Sequence, residues 1–210
     1  MKPILKKTLI HCGIFLFFFL VAAIYMSPVF DGKVIQQGDT MKWQAMAKEQ
    51  KDFHEKTGEY TTWTSSMFSG MPSYQVTYSP PKSVFSKVQN ILNLSLFKLN
   101  GSVGIVFLYL LGFYVALIAL GVSPWLSLLG ALAFGLGSYN IIIIEAGHIT
   151  KAYAMAMMAP IIGGMLLVLQ RKKYLWGGIL FALALGIQIA CNHIQITYYT
   201  MLIGLILGLV

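Results

Sequence analysis

Apolar residues in this chain gather in long blocks instead of alternating with polar ones. No Asp, Glu, Lys or Arg occurs from Thr8 to Phe30, from Leu99 to Ile144, from Ala152 to Gln170, or from Tyr174 to Val210. A helix needs roughly 20 apolar residues to cross a bilayer, and the first and third blocks are of that order. The second block is about twice as long, and Gly121-Val122-Ser123-Pro124 lies near its middle. Gly and Pro interrupt a helix, so the block predicts two spans, 101–120 and 125–144. The fourth block is divided by Cys191-Asn192-His193, with a last span over 194–210. The prediction is an all-α integral membrane bundle of about six transmembrane helices.

The polar stretch between the first two blocks predicts two surface amphipathic helices. After Gly38-Asp39-Thr40, residues Trp43, Met46, Ala47, Gln50 and Phe53 recur at three- and four-residue spacing, and Gly58 ends the run. A second helix is predicted over 83–98, started by Pro80-Pro81, with Val84, Val88, Ile91, Leu92 and Ser95 on one side. Between them, residues 60–74 mix aromatics, hydroxyls and turn formers without helical or strand period. Trp63, Phe68 and Tyr74 there suit either a sugar, with its apolar CH faces and hydroxyl rim, or packing on a membrane surface. The domain plan is thus residues 1–30 for the N-terminal end and first span, 31–98 for the long loop, and 99–210 for the remaining spans. The apolar run reaches Val210 with no flanking anchor, so the sequence reads as the N-terminal portion of a longer protein.

Composition narrows the class. The chain is 57% hydrophobic and only 10% charged, far below the roughly 25% charged of a soluble domain. Lys2, Lys6 and Lys7 precede the first span and Arg171-Lys172-Lys173 follows the fourth, so six alternating spans put both clusters on one side, the cytoplasmic side by the positive-inside rule. Residues 31–98 then lie outside. The net charge of +8 reflects this topology and the mixed chemistry of the loops, and no Arg-rich or nucleic-acid-binding pattern accompanies it. Cys12 and Cys191 fall within apolar spans and imply no disulfide framework. The basic start and long apolar core of residues 1–28, without a clear cleavage site, read as an uncleaved signal anchor.

The same topology gathers polar groups at the outer face. Glu145, His148 and Lys151 follow the third span, Asn192, His193 and Gln195 follow the fifth, and Asp39 opens the outer loop. Ionisable groups at this depth are retained mainly where they face a cavity or a partner. The structural alternatives are that Glu145 and Lys151 anchor at the interface, that Glu145 pairs with His148, that His193 is satisfied between helices, and that Asp39 caps a helix N-terminus. Asp31 is the nearby alternative acid.

Four passages carry a family resemblance: Gln37-Gly38-Asp39, the run from Trp63 to Pro72, the run from Glu145 to Lys151, and the run from Asn192 to Tyr199. In this order and topology they resemble the GT-C class of membrane glycosyltransferases, and more narrowly the N-terminal portion of YfhO-type bacterial membrane proteins. The resemblance implies a polyprenyl-phosphate-linked sugar as donor, a cell-envelope polymer such as teichoic acid as acceptor, and the bacterial cytoplasmic membrane as location. It implies Asp39 as the catalytic acid of the first outer loop. A donor phosphate would meet His148, Lys151 and His193, and substrate would meet Trp63, Phe68, Tyr74, Glu145, Asn192 and Gln195. Many members of the class bind a divalent metal through a later acidic motif, and no such motif is visible here, so the cofactor is left unknown. Two other classes fit the same polar groups: a transporter or lipid flippase with an outer-facing cavity, and a non-catalytic subunit of a glycosylation complex.

Overall fold

The computed structural model describes residues 3–76, 84–92 and 101–209. Its helices are α1 (Pro3–Tyr25), α2 (Gly38–Met46), α3 (Lys48–Thr57), α4 (Val84–Leu92), α5 (Gly101–Ala119), α6 (Pro124–Gly135), α7 (Ser138–Ala146), α8 (Ile149–Leu169), α9 (Tyr174–Ala190) and α10 (Ile194–Leu209). The protein is an all-α membrane protein with one small β-element. Helices α1, α5 and α8 are each long and apolar enough to cross a membrane. In place of one straight helix over 125–144, the chain forms two, α6 and α7, bent by 45° to each other. Helices α9 and α10, at 17 and 16 residues, are apolar but shorter. At 1.5 Å per residue α9 extends only about 26 Å, against a hydrocarbon core of about 30 Å, and α10 runs to the last described residue.

Local chemistry explains where the elements stop. Pro28 cannot continue a helix and disfavours helix at Ser27, so α1 ends at Tyr25 and a 3₁₀ turn (Ser27–Asp31) follows, short of the block end at Phe30. The 45° break falls at Leu136-Gly137, and Asn140 Nδ2 donates to the Phe134 carbonyl at 2.7 Å, satisfying an acceptor the break exposes. The outer helix expected from Gly38 to Gly58 is divided at Ala47, and Gly58, at φ 75°, closes α3 with its N–H on the His54 carbonyl. The aperiodic segment 60–74 folds as a hairpin, β1 (Trp63–Thr64) antiparallel to β2 (Met71–Pro72). Helix α4 covers only part of the expected 83–98, and its Phe85 ring packs against Gly186 of α9. The proline start at 80–81 and residues 93–98 lie outside the described residues.

The bundle is held by small residues at helix crossings, where close backbone approach replaces the hydrophobic drive that lipid cannot supply. Gly112 of α5 faces the Ala156 carbonyl of α8, and a Cβ there would lie 2.5 Å from that oxygen. Pro160 lacks the N–H that would otherwise bond this carbonyl, so the exposed acceptor and the bare glycine occupy one crossing. Gly163 meets Ala116 in the same interface, while Gly164 and Gly177 bring α8 against α9. Gln188, fully buried, donates to the Ala154 carbonyl at 2.8 Å and to Thr200 Oγ1 at 3.2 Å, tying α9 to α8 and α10. Helix α1 packs on α5 through His11–Tyr114 and Phe15–Phe107, yet only 17% of its apolar stretch is buried.

These contacts define two ends. The Arg171 guanidinium donates to the Leu120 carbonyl and covers Gly121, so the α5–α6 and α8–α9 turns share one end. The antiparallel packing of α1 on α5 brings Lys6 there too, beside Trp125. The α7–α8 and α9–α10 junctions and the start of α2 meet at the opposite end.

Candidate functional site at the polar rim

The rim opposite the basic turns is assembled from three junctions. Gly147 ends α7 in the left-handed region at φ 94°, with its N–H on Ile144 O and the His148 N–H on Ile143 O. This αL closure turns the chain sharply, so that His148 leaves the helix and α8 begins at Ile149. The start of α2 docks on the turn. Gln37 Nε2 donates to the Ile144 carbonyl at 2.7 Å, and Thr40 Oγ1 donates to Gln37 Oε1 at 2.9 Å. The fit is tight: a Cβ on Gly147 would stand 2.8 Å from Thr40 Oγ1 and 3.1 Å from the Thr40 nitrogen.

This bracket delivers Asp39 to His148. His148 Nε2 lies 3.2 Å from Asp39 Oδ2, and Lys42 Nζ lies 3.7 Å from Oδ1. Asp39 sits within the first turn of α2, Gln37 holds the N-cap position, and no side-chain cap bond forms. The capping alternative is therefore replaced by an ion-pair geometry. The pairing of His148 with Glu145 is replaced too, since the αL turn at Gly147 directs the imidazole to α2. Glu145 is exposed and makes no ion pair within 4.0 Å among the described residues. The side chain of Asp39 is 44% exposed and that of His148 46%, so the pair is open to a reactant.

Next to this pair lie the other rim groups. Thr150 Oγ1 is 3.4 Å from His193 Nδ1, which joins the α8 start to the α9–α10 junction. His193 Nε2 is enclosed and has no hydrogen-bond partner among the described residues. Burial holds the His193 imidazole below the usual histidine range, and the nearby positive charges of Lys151 and His148 act in the same direction. A neutral imidazole is a hydrogen-bond donor or acceptor rather than a cation. Lys151 Nζ stands 5.4 Å from the centroid of the Tyr139 ring.

Not all the expected residues join this group. Gln195 is occupied within α10, donating to Tyr199 Oη at 3.0 Å, and Asn192 is exposed with φ 53° in the turn. Trp63 and Phe68 belong to the hairpin and Tyr74 to the short 3₁₀ turn after it, all exposed. That unit is clamped to α3 by Glu49, whose Oε2 accepts Thr64 Oγ1 at 2.5 Å and the Ser66 N–H at 2.9 Å, while the Ser65 N–H adds 3.1 Å. Those donors hold the Glu49 carboxyl down to about 2. Asp31 ends the 3₁₀ turn after α1 and makes no ion pair within 4.0 Å among the described residues. The residues that sequence reasoning passed over are Gln37, Thr40, Thr150 and Tyr139 at the rim, and Glu49 in the clamp. Gln37 stood beside Asp39 in a singled-out passage, but nothing in one sequence tells a bracket from a spacer.

Asp39 and His148 are two possible metal ligands. Among the described residues no group of three or more His, Cys, Asp or Glu side chains converges, so these residues do not form a cation site by themselves. No family model, curated protein or solved structure matches this chain. The geometry of the rim therefore carries the functional argument.

Proposed function

We propose that this protein is a membrane glycosyltransferase of GT-C type that moves a sugar from a polyprenyl-phosphate donor to a cell-envelope acceptor at the outer face of the bacterial cytoplasmic membrane. The observation that carries the reading is the exposed Asp39–His148 pair, 3.2 Å apart, on a rim that also holds Lys151 and the unpartnered nitrogen of His193. In this reading α6 with α7 makes one crossing and α9 and α10 make two more, for six in all. The N-terminus then lies in the cytoplasm with the basic turns, and Asp39 faces outward.

The acceptor hydroxyl attacks the anomeric carbon as the bond from that carbon to the phosphate oxygen breaks, with its electron pair leaving on the phosphate. Asp39 Oδ takes the hydroxyl proton, the role of a general base. His148 Nε2–H orients that carboxylate, which removes it from the phosphate-binding role expected for it. The growing phosphate charge falls to Lys151, whereas the enclosed Nε2 of His193 is closed to the phosphate. Single displacement inverts the anomeric centre. Trp63, Phe68 and Tyr74 belong to the clamped outer unit and serve acceptor binding, not the reacting carbon.

The test is transfer of label from a polyprenyl-phosphate sugar to envelope polymer by the intact protein in membranes, wild type against D39N at matched expression. D39N is expected to lose at least about 10²-fold, the scale of general-base catalysis. Normal transfer by D39N removes Asp39 from this role. Label that crosses the bilayer still attached to lipid assigns the rim to transport instead.

A further inference from the structure

We propose that the groove at the α6–α7 break is the seat of the donor's lipid tail, a single chain descending into the bilayer from a phosphate held at Lys151. The identity of the lipid as donor rests on the transferase reading above; the seat itself stands on its own geometry.

The groove encloses about 510 Å³ between α5, the α6–α7 break and α8. Its lining is almost wholly apolar. Phe113 and Phe134, stacked at 4.4 Å with an interplanar angle of 12°, form one wall. Ala133, Gly137 and Ala159 leave the space open by lacking bulk. The broken span creates the cleft, because α7 turns away from the line of α6 by 45°.

Polarity runs along the groove. Met155, Met158 and Ile162 of α8 line it, and they stand four, seven and eleven residues after Lys151, which is one helical face. At 1.5 Å per residue, Lys151 tops an apolar strip about 16 Å long. Tyr139 belongs to the groove lining and also lies under the Lys151 ammonium, so the cation stands at the groove's rim end. A cation over an apolar slot, at the same end of the bundle as the Asp39–His148 pair, is complementary to a phosphate bearing one long chain. A second apolar groove, between α1 and α6, is lined by Lys6 and Trp125 at the opposite end and serves as an internal control.

The test uses the intact protein in nanodiscs with a polyprenyl phosphate carrying a photoreactive group in its chain. Crosslinks are expected on the α8 peptide bearing Met155 and Met158 or on the Phe113 and Phe134 peptides, competed by unlabelled polyprenyl phosphate but not by inorganic phosphate. K151Q is expected to weaken loading of the phosphate about tenfold while leaving the uncharged polyprenyl alcohol unaffected. A159F, which fills the slot, is expected to abolish the crosslinks. Labelling confined to the α1–α6 groove, equal loading of K151Q and wild type, or competition by inorganic phosphate overturns the proposal. The mapping in the wild-type protein decides the matter even if A159F does not fold. Loading at α8 without any sugar transfer keeps the seat and removes the transferase, whereas undiminished transfer by a folded A159F removes the seat and keeps the transferase.

Discussion

Replacing Gly147 by Ala probes whether the docking of α2 on the α7–α8 turn is what brings Asp39 to His148. The residue has φ 94°, and a left-handed conformation costs an L residue with a Cβ roughly 1–2 kcal/mol. The added methyl would also lie 2.8 Å from Thr40 Oγ1, 3.0 Å from Gln37 Cβ and 3.1 Å from the Thr40 nitrogen. The hydroxyl can rotate aside, but the nitrogen is backbone, so α2 itself must retreat by some tenths of an ångström. For a chain of this size 1 kcal/mol moves the unfolding midpoint by roughly 2–4 °C, so G147A is expected to fall by about 2–8 °C. Its sugar transfer should drop several-fold further than stability alone dictates, because a full 1 Å displacement at a reacting group can cost about 10²-fold and this one is a fraction of that. The control is G178A, where a Cβ would meet nothing within 4 Å and the backbone is ordinary helix. Thermal unfolding in detergent and transfer by matched membranes are measured for both. If G147A unfolds with G178A and transfers sugar at the same rate, the turn does not position Asp39.

Other perturbations test separate parts of the structure. The Glu49 clamp strengthens the folded state when ionised, so its contribution is complete above the ordinary carboxyl value of 4.5 and fades as pH falls toward about 2. Hydrogen-exchange protection of the Ser65 and Ser66 amides should follow that course in the wild type and be low at every pH in E49Q. For His193 the sign is also set by a lowered folded value: the unfolded chain binds the proton more readily, so stability falls as pH drops below 6.5. H193Q should flatten that part of the unfolding-midpoint profile, and an unchanged slope would show that the imidazole is not held neutral by its surroundings. At the α5–α8 crossing, G112V should destabilise by about 1–3 kcal/mol, the usual cost of overpacking, because the Ala156 carbonyl leaves no room for a side chain. A wild-type midpoint for G112V would mean that the two helices separate freely there.

How much of this was legible beforehand depends on the kind of signal. Helix interiors are written in composition: uncharged stretches such as 101–119 form α5 because a single apolar segment pairs all its own backbone groups only as a helix. Punctuation is also local, so Pro124 at the start of α6 and Gly58 after α3 could be read directly. The break at Gly137 was passed over because hydropathy does not register a bend, although Gly135-Leu136-Gly137-Ser138 carries turn-forming residues there. The hairpin could not be read, since its two-residue strands are too short to show a period and depend on Glu49 from another element.

By itself the sequence determined which segments are helical and apolar, where the basic residues cluster, and which residue types lie near helix ends. Those properties follow from side-chain hydration and backbone preference, which act within a few residues. Only the tertiary structure decided that Asp39 faces His148 and not Glu145, that Gln37 and Thr40 hold it there, and that the bend after α6 opens a groove below Lys151. Each of these depends on a close approach between elements distant in the chain. Such an approach is set by which small residues let backbones touch, and that information does not reside in any single stretch of sequence.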